Sequence, residues 1–190
     1  MFTKNIVIDP GHGGSDPGAV NGVYQEKNLA LEFALMLGHF LRVKGYKTKF
    51  TRDTDETLDA KFRRTLARDG DILISCHLNS VESKVPQGAS VWYRGGFPES
   101  KKLATIVETH IGDTDLVKRY STGVLADTSR YKTGFYMLRY PQKLKCKSCI
   151  LVEIGFISNP HDLTIMLKDR TRNLLAKAVA DGVHSYLSED

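Results

Sequence analysis

Four residues of this sequence could do chemistry together: His12, Glu26, His77 and Glu153. Two imidazoles and a carboxylate are a recurring ligand set for a catalytic zinc, which keeps a further position open for water. His12, Glu26 and His77 are the candidate ligands of one Zn2+ per chain. Such a metal lowers the pKa of its water from roughly 15.7 to about 7, giving a nucleophile at neutral pH. Hydrolysing an amide also needs a group that takes a proton from that water and returns one to the leaving amine. Glu153 is the candidate, because a carboxylate inside the apolar run Ile150-Leu151-Val152-Glu153-Ile154 is rare unless paired or functional. Simpler roles exist for the others taken singly. Glu26 could only favour the positive end of a helix dipole, and His77 could be a satisfied core histidine. His39, His110 and His184 fall within helices and receive no role. His161, directly after Pro160, reads as a solvated first-turn residue.

The elements that must position these residues alternate between strand and helix. Ile6-Val7-Ile8 is a continuous apolar run stopped by Asp9-Pro10-Gly11, as in a strand buried on both faces. It delivers His12 to a sheet rim inside a glycine cluster, and in open α/β sheets that rim binds ligands. Leu29, Phe33, Met36, Leu37, Phe40 and Leu41 recur at helical steps across 26–44, and Gly45 is placed to end that helix. A strand over 47–51 completes a βαβ unit. A charged helix over 57–69 follows, with Leu58, Phe62 and Leu66 facing inward. Ile72 to His77 is a second buried strand that ends at a histidine. Strands over 88–93, 135–139 and 150–154 and a helix over 98–111 are expected, with 113–134 mostly loop near the site. Asn159 caps a short helix beginning at Pro160, and Thr171 caps the last helix.

At 190 residues, with 41% hydrophobic and 26% charged content, the chain suits one domain with its own core. No stretch of about 18 apolar residues exists, so membrane insertion is not expected. The formal charge of +5 and a pI near 9.0 favour an anionic partner. The basic residues are scattered and form no recognisable module, which argues against nucleic acid. Cys76, Cys146 and Cys149 are too few for a disulfide framework, and the C-x-x-C pair lacks the second pair of a zinc ribbon. Free thiols are expected.

Asp9-Pro10-Gly11-His12-Gly13-Gly14, Glu26-Lys27-Asn28-Leu29-Ala30, Ser75-Cys76-His77-Leu78-Asn79 and Val152-Glu153-Ile154-Gly155-Phe156-Ile157-Ser158-Asn159 resemble the signatures of one family. It is that of the zinc-dependent N-acetylmuramoyl-L-alanine amidases of the amidase-3 type. The segments occur in that family's order and cover nearly the whole chain. Relatives often carry Pro-Ala where this chain has Ser148-Cys149. The resemblance implies an α/β fold: a single domain with a mixed, mostly parallel sheet of about six strands and helices on both faces. It implies that His12, Glu26 and His77 bind the zinc and that Glu153 is the catalytic glutamate. The expected partner is peptidoglycan, cut between the lactyl group of N-acetylmuramic acid and L-alanine of the stem. Residues 1–190 would form the catalytic domain, with no separate wall-binding domain. With no signal peptide ahead of the first strand, the expectation is a protein made in the cytoplasm that acts outside it, either by a route of its own or with an export segment beyond these residues. Phage endolysins reach the bacterial wall in the first of these ways.

Overall fold

A computed structural model describes residues 4–67, 70–139 and 146–189. Its centre is a six-stranded sheet made from β1 (Asn5–Pro10), β4 (Lys47–Phe50), β5 (Ile72–Asn79), β6 (Ala89–Tyr93), β7 (Arg119–Ala126) and β8 (Ser148–Phe156). Their spatial order is β4-β1-β5-β8-β6-β7. The pairings from β4 through β8 are parallel, β8 meets β6 antiparallel, and β6 and β7 run parallel. A two-stranded ribbon, β2 (Val20–Asn21) with β3 (Tyr24–Gln25), sits outside the sheet.

Period-two alternation divides the buried side chains between two cores. Ile6, Ile8, Ile72, Ile74, Ile150 and Val152 face one way. There they pack under α1 (Glu26–Val43), α3 (Pro98–Gly112) and α6 (Asp169–Ser188). Val7, Leu73, Cys149 and Leu151 face the other way, against Trp92, Met137, Leu138 and Ala67, which follows α2 (Ala60–Leu66). All nine residues of β8 are buried, as suits a strand covered on both faces.

Local signals set the helix ends. At the end of α1 the Gly45 and Tyr46 amides donate to the Arg42 and Leu41 carbonyls, and Gly45 has φ +90°. This is a Schellman ending that favours glycine. The Asn159 side chain accepts from the His161 and Asp162 amides at the start of α5 (Pro160–Met166), and the His161 side chain is exposed.

Several sequence expectations need correction. Residues 113–134 are not mostly loop: they hold β7 and the one-turn α4 (Asp127–Arg130). Residues 135–139 form turns rather than a strand, and their apolar side chains pack onto the sheet face instead of joining it. The helix expected over 57–69 spans Ala60–Leu66, started by the Asp59 side chain; Arg68 and Asp69 lie outside the described residues. It turns Arg63 inward and leaves Phe62 51% exposed. The last helix starts at Asp169, so Thr171 sits in its first turn rather than capping it. The three cysteines are buried and unbridged.

Candidate metal and catalytic site

Three elements bring the His–Glu–His set together at the rim. His12 follows β1, Glu26 is the first residue of α1, and His77 lies in β5 next to β1. One ligand atom from each residue lies within 4.8 Å of the other two. Glu26 bridges the histidines: its Oε2 is 3.1 Å from His12 Nε2 and its Oε1 is 2.9 Å from His77 Nδ1. The amides of Ala19 and Leu78 donate to the same two oxygens, at 3.0 and 3.1 Å.

Small residues make this convergence possible. A Cβ on Gly11 would lie 2.5 Å from the His77 ring, and one on Gly18 would lie 2.6 Å from the His12 ring. Gly18 also has φ +65°, and His12 itself adopts φ +60°. For a histidine that left-handed conformation costs energy, and such strain gathers at functional sites. Arg52 fixes the loop. Its Nη2 donates to the Gly11 carbonyl at 2.7 Å and the Lys27 carbonyl at 2.9 Å, tying the His12 turn to the start of α1.

Asp16 was not visible as a site residue in the sequence. Its Oδ2 lies 2.9 Å from His12 Nδ1, which leaves Nε2 turned toward Glu26. Carboxylate support of this kind fixes the tautomer and orientation of metal-binding histidines. The only sequence signal was an acid four residues beyond a histidine, which is common.

Electrostatics fit a cation. Burial opposes ionisation of Glu26, but hydrogen bonds to His12 and His77 outweigh it and hold the carboxyl far below its usual range. Burial also opposes charging of His12, yet Glu26 and Asp16 raise its pKa overall. Two imidazole nitrogens and a buried carboxylate match the donor set that zinc takes in hydrolytic sites. The set therefore fits that metal.

Glu153 stands opposite His77 in the β5–β8 register. It is 6% exposed, and its Oε2 has no hydrogen-bond partner among the described residues. Burial pushes its pKa up to about 8, the Glu26 charge adds to the rise, and Arg130 and His12 oppose it. His12, Glu26, His77 and Glu153 all line one pocket of about 390 Å³, with Asn79 and Arg130 on its wall. A proton-holding carboxyl beside a cation site can serve hydrolysis of an amide or ester.

The chain matches the protein family described as N-acetylmuramoyl-L-alanine amidase over residues 6–185. It is 29% identical to the germination-specific N-acetylmuramoyl-L-alanine amidase of Bacillus subtilis, over 98% of this chain and 81% of that protein. It is 33% identical to the probable cell wall amidase LytH of Staphylococcus aureus, over 97% of this chain but only 59% of LytH. Among solved structures it resembles an N-acetylmuramoyl-L-alanine amidase of Clostridium difficile 630, with TM-score 0.87 and 28% identity. That match covers 99% of this chain and 98% of the other.

Proposed function

The chain belongs to the N-acetylmuramoyl-L-alanine amidase family, and we propose that it cuts peptidoglycan between the muramic lactyl group and the stem L-alanine. In this reading His12, Glu26 and His77 hold one zinc and Glu153 is the general acid and base. The observation that carries it is the buried Oε2 of Glu153, which has no hydrogen-bond partner among the described residues and lies in the same pocket as the His–Glu–His set. When bound, zinc supplies Lewis acidity toward the carbonyl and the attacking water.

The protein's own groups do the rest. Glu153 takes the proton released by the water and passes it to the alanine nitrogen, so the C–N bond breaks with a neutral amine leaving. Burial favours the protonated form of Glu153 that gives the proton up to the amine only when it is needed, while Arg130 and His12 favour the ionised form that first accepts it. Asp16 keeps the His12 ring in orientation. The net charge of +5 suits an anionic wall, and action there places the working enzyme outside the cytoplasm.

Mass spectrometry of digested wall tests the reaction. Intact stems that begin at L-alanine, with no new reducing sugars, are expected. Released disaccharides would instead require two carboxylates flanking a sugar bond, roughly 5–9.5 Å apart; their appearance, or cuts within the stem, would sink the reading.

A further inference from the structure

Arg130 is a cation on the pocket wall whose charge acts on Glu153 but whose remaining N–H donors the hydrolysis leaves unused. Its guanidinium carbon lies 5.9 Å from the Trp92 ring centroid and 5.7 Å from that of Tyr131. Its Nη1 donates to Asn79 Oδ1 at 3.3 Å, reaching from the β7 side of the sheet to the end of β5. Other arginines near the site are committed: Arg63 to Asp9, Arg94 to Asp127, and Arg52 to backbone carbonyls. Among the described residues no carboxylate sits within ion-pair distance of Arg130. A guanidinium has five N–H donors, and the Asn79 bond occupies one. Arg130 is exposed, and its guanidinium lies against the two rings with its other donors open to an arriving anion.

Its place relative to the reacting atoms follows from strand order. β1 and β5, which bring the His–Glu–His set, lie on one side of Glu153 in β8. The chain arrives at Arg130 from the other side, by way of β6 and β7, and the Arg130 guanidinium reaches back to Asn79 of β5. Arg130 is close enough for its charge to act on Glu153. If Glu153 protonates the alanine nitrogen, the departing peptide runs past Glu153 toward that side. The next residue of an extended peptide lies about 3.8 Å further on, Cα to Cα. We propose that Arg130, flanked by Tyr131, is the subsite for a carboxylate on the stem residue that follows L-alanine. The site thereby prefers stems whose second residue has a free α-carboxylate over those in which it is a carboxamide. A carboxylate can accept two parallel N–H bonds from the fork, whereas an amide offers one oxygen and turns an NH2 toward the cation.

This inference rests on the amidase reading. Its test uses zinc-loaded full chain and two synthetic substrates, N-acetylmuramoyl-L-alanyl-γ-D-glutamyl peptides with the α-carboxyl free or amidated. The unaltered protein should favour the free acid in kcat/KM by roughly tenfold or more, as expected for a charge-assisted contact. Most of that difference should appear in KM. Arg130→Gln should bring the acid-to-amide ratio to about one, and Arg130→Lys should restore part of it, since charge returns without the fork. Cleavage of both substrates at equal kcat/KM by the unaltered protein would overturn the subsite and leave the amidase reading standing. So would an undiminished preference in Arg130→Gln. Cleavage of neither substrate would remove the amidase reading and the subsite with it.

Discussion

Glu153 concentrates the conflict between stability and chemistry. A carboxyl buried with no partner for Oε2 among the described residues is costly, and in the proposed reaction it stands where a proton would move. Glu153→Gln should retain zinc and the fold yet lose roughly 10²–10⁴-fold in kcat, since an amide cannot shuttle a proton. Near-normal turnover in a zinc-loaded variant would move that role to another residue. The same substitution has a second readout in metal-free protein. With a folded pKa near 8 against 4.5 in the free side chain, the folded state binds more protons between those values. Stability therefore falls as pH rises through that window. Removing the carboxyl should stabilise the apo-protein at pH 8 by an amount of order a few kcal/mol, at about 1.4 kcal/mol per pH unit, and so raise its melting temperature. The gain should shrink toward pH 4. A deficit at pH 8 would mean that Glu153 has a partner in solution.

At the scale of elements, α2 is placed by a buried ion pair. Arg63 Nη2 reaches Asp9 Oδ2 at 2.8 Å, and Thr51 and Ser75 also donate to Asp9. Burial alone would raise the Asp9 pKa, but Arg63 and the two hydroxyls outweigh it and lower it below 3.8. A depressed carboxyl stabilises the fold above its ordinary pKa, and that gain is lost as pH falls through the folded value. Arg63→Met strands the charge, so denaturant unfolding at pH 7 should show a loss of about 3–5 kcal/mol. The deficit should narrow in acid; a variant as stable as the parent at pH 7 would refute this account of how α2 is held. This pair also overrides the helical spacing of the sequence. Helical spacing puts Phe62 inward, but pairing with Asp9 rotates the helix to bury Arg63. The parallel strands β1, β5 and β8 were legible because strands covered on both faces are written in continuous apolar residues. β7 was not, since an edge strand such as Arg-Tyr-Ser-Thr-Gly-Val-Leu-Ala is half exposed and carries no such run. The four candidate chemical residues could be picked out because each closely follows an apolar run, starts a helix or interrupts such a run. Asp16 and Arg130 lie in polar stretches, where only three-dimensional proximity distinguishes them.

For the whole molecule, a metal would join the β1 loop, α1 and β5, and ligand binding to the folded state alone adds to stability. Zinc at 100 times its Kd contributes about 2.7 kcal/mol, or roughly 5–10 °C in Tm for a domain of this size. Chelation should therefore lower the melting temperature and abolish activity together. In His77→Ala the melting temperature should no longer respond to chelator or added zinc. One metal per chain in that variant, with activity intact, would show that the ligands lie elsewhere. The sheet order described above also bears on how the chain is made. β5 ends at Asn79 and its neighbour β8 begins at Ser148, so the ribosome adds roughly 70 residues between two strands that lie side by side. At about 5–20 residues per second, the nascent chain spends several seconds with an unclosed apolar strand. Helix α1 shields one face of β5 in that interval, but its hydrogen-bonding edge stays open until β8 emerges. The time for which that edge stays unpaired scales with the time taken to make the segment between the strands, and a shortage of charged tRNA there would lengthen it without altering the finished protein.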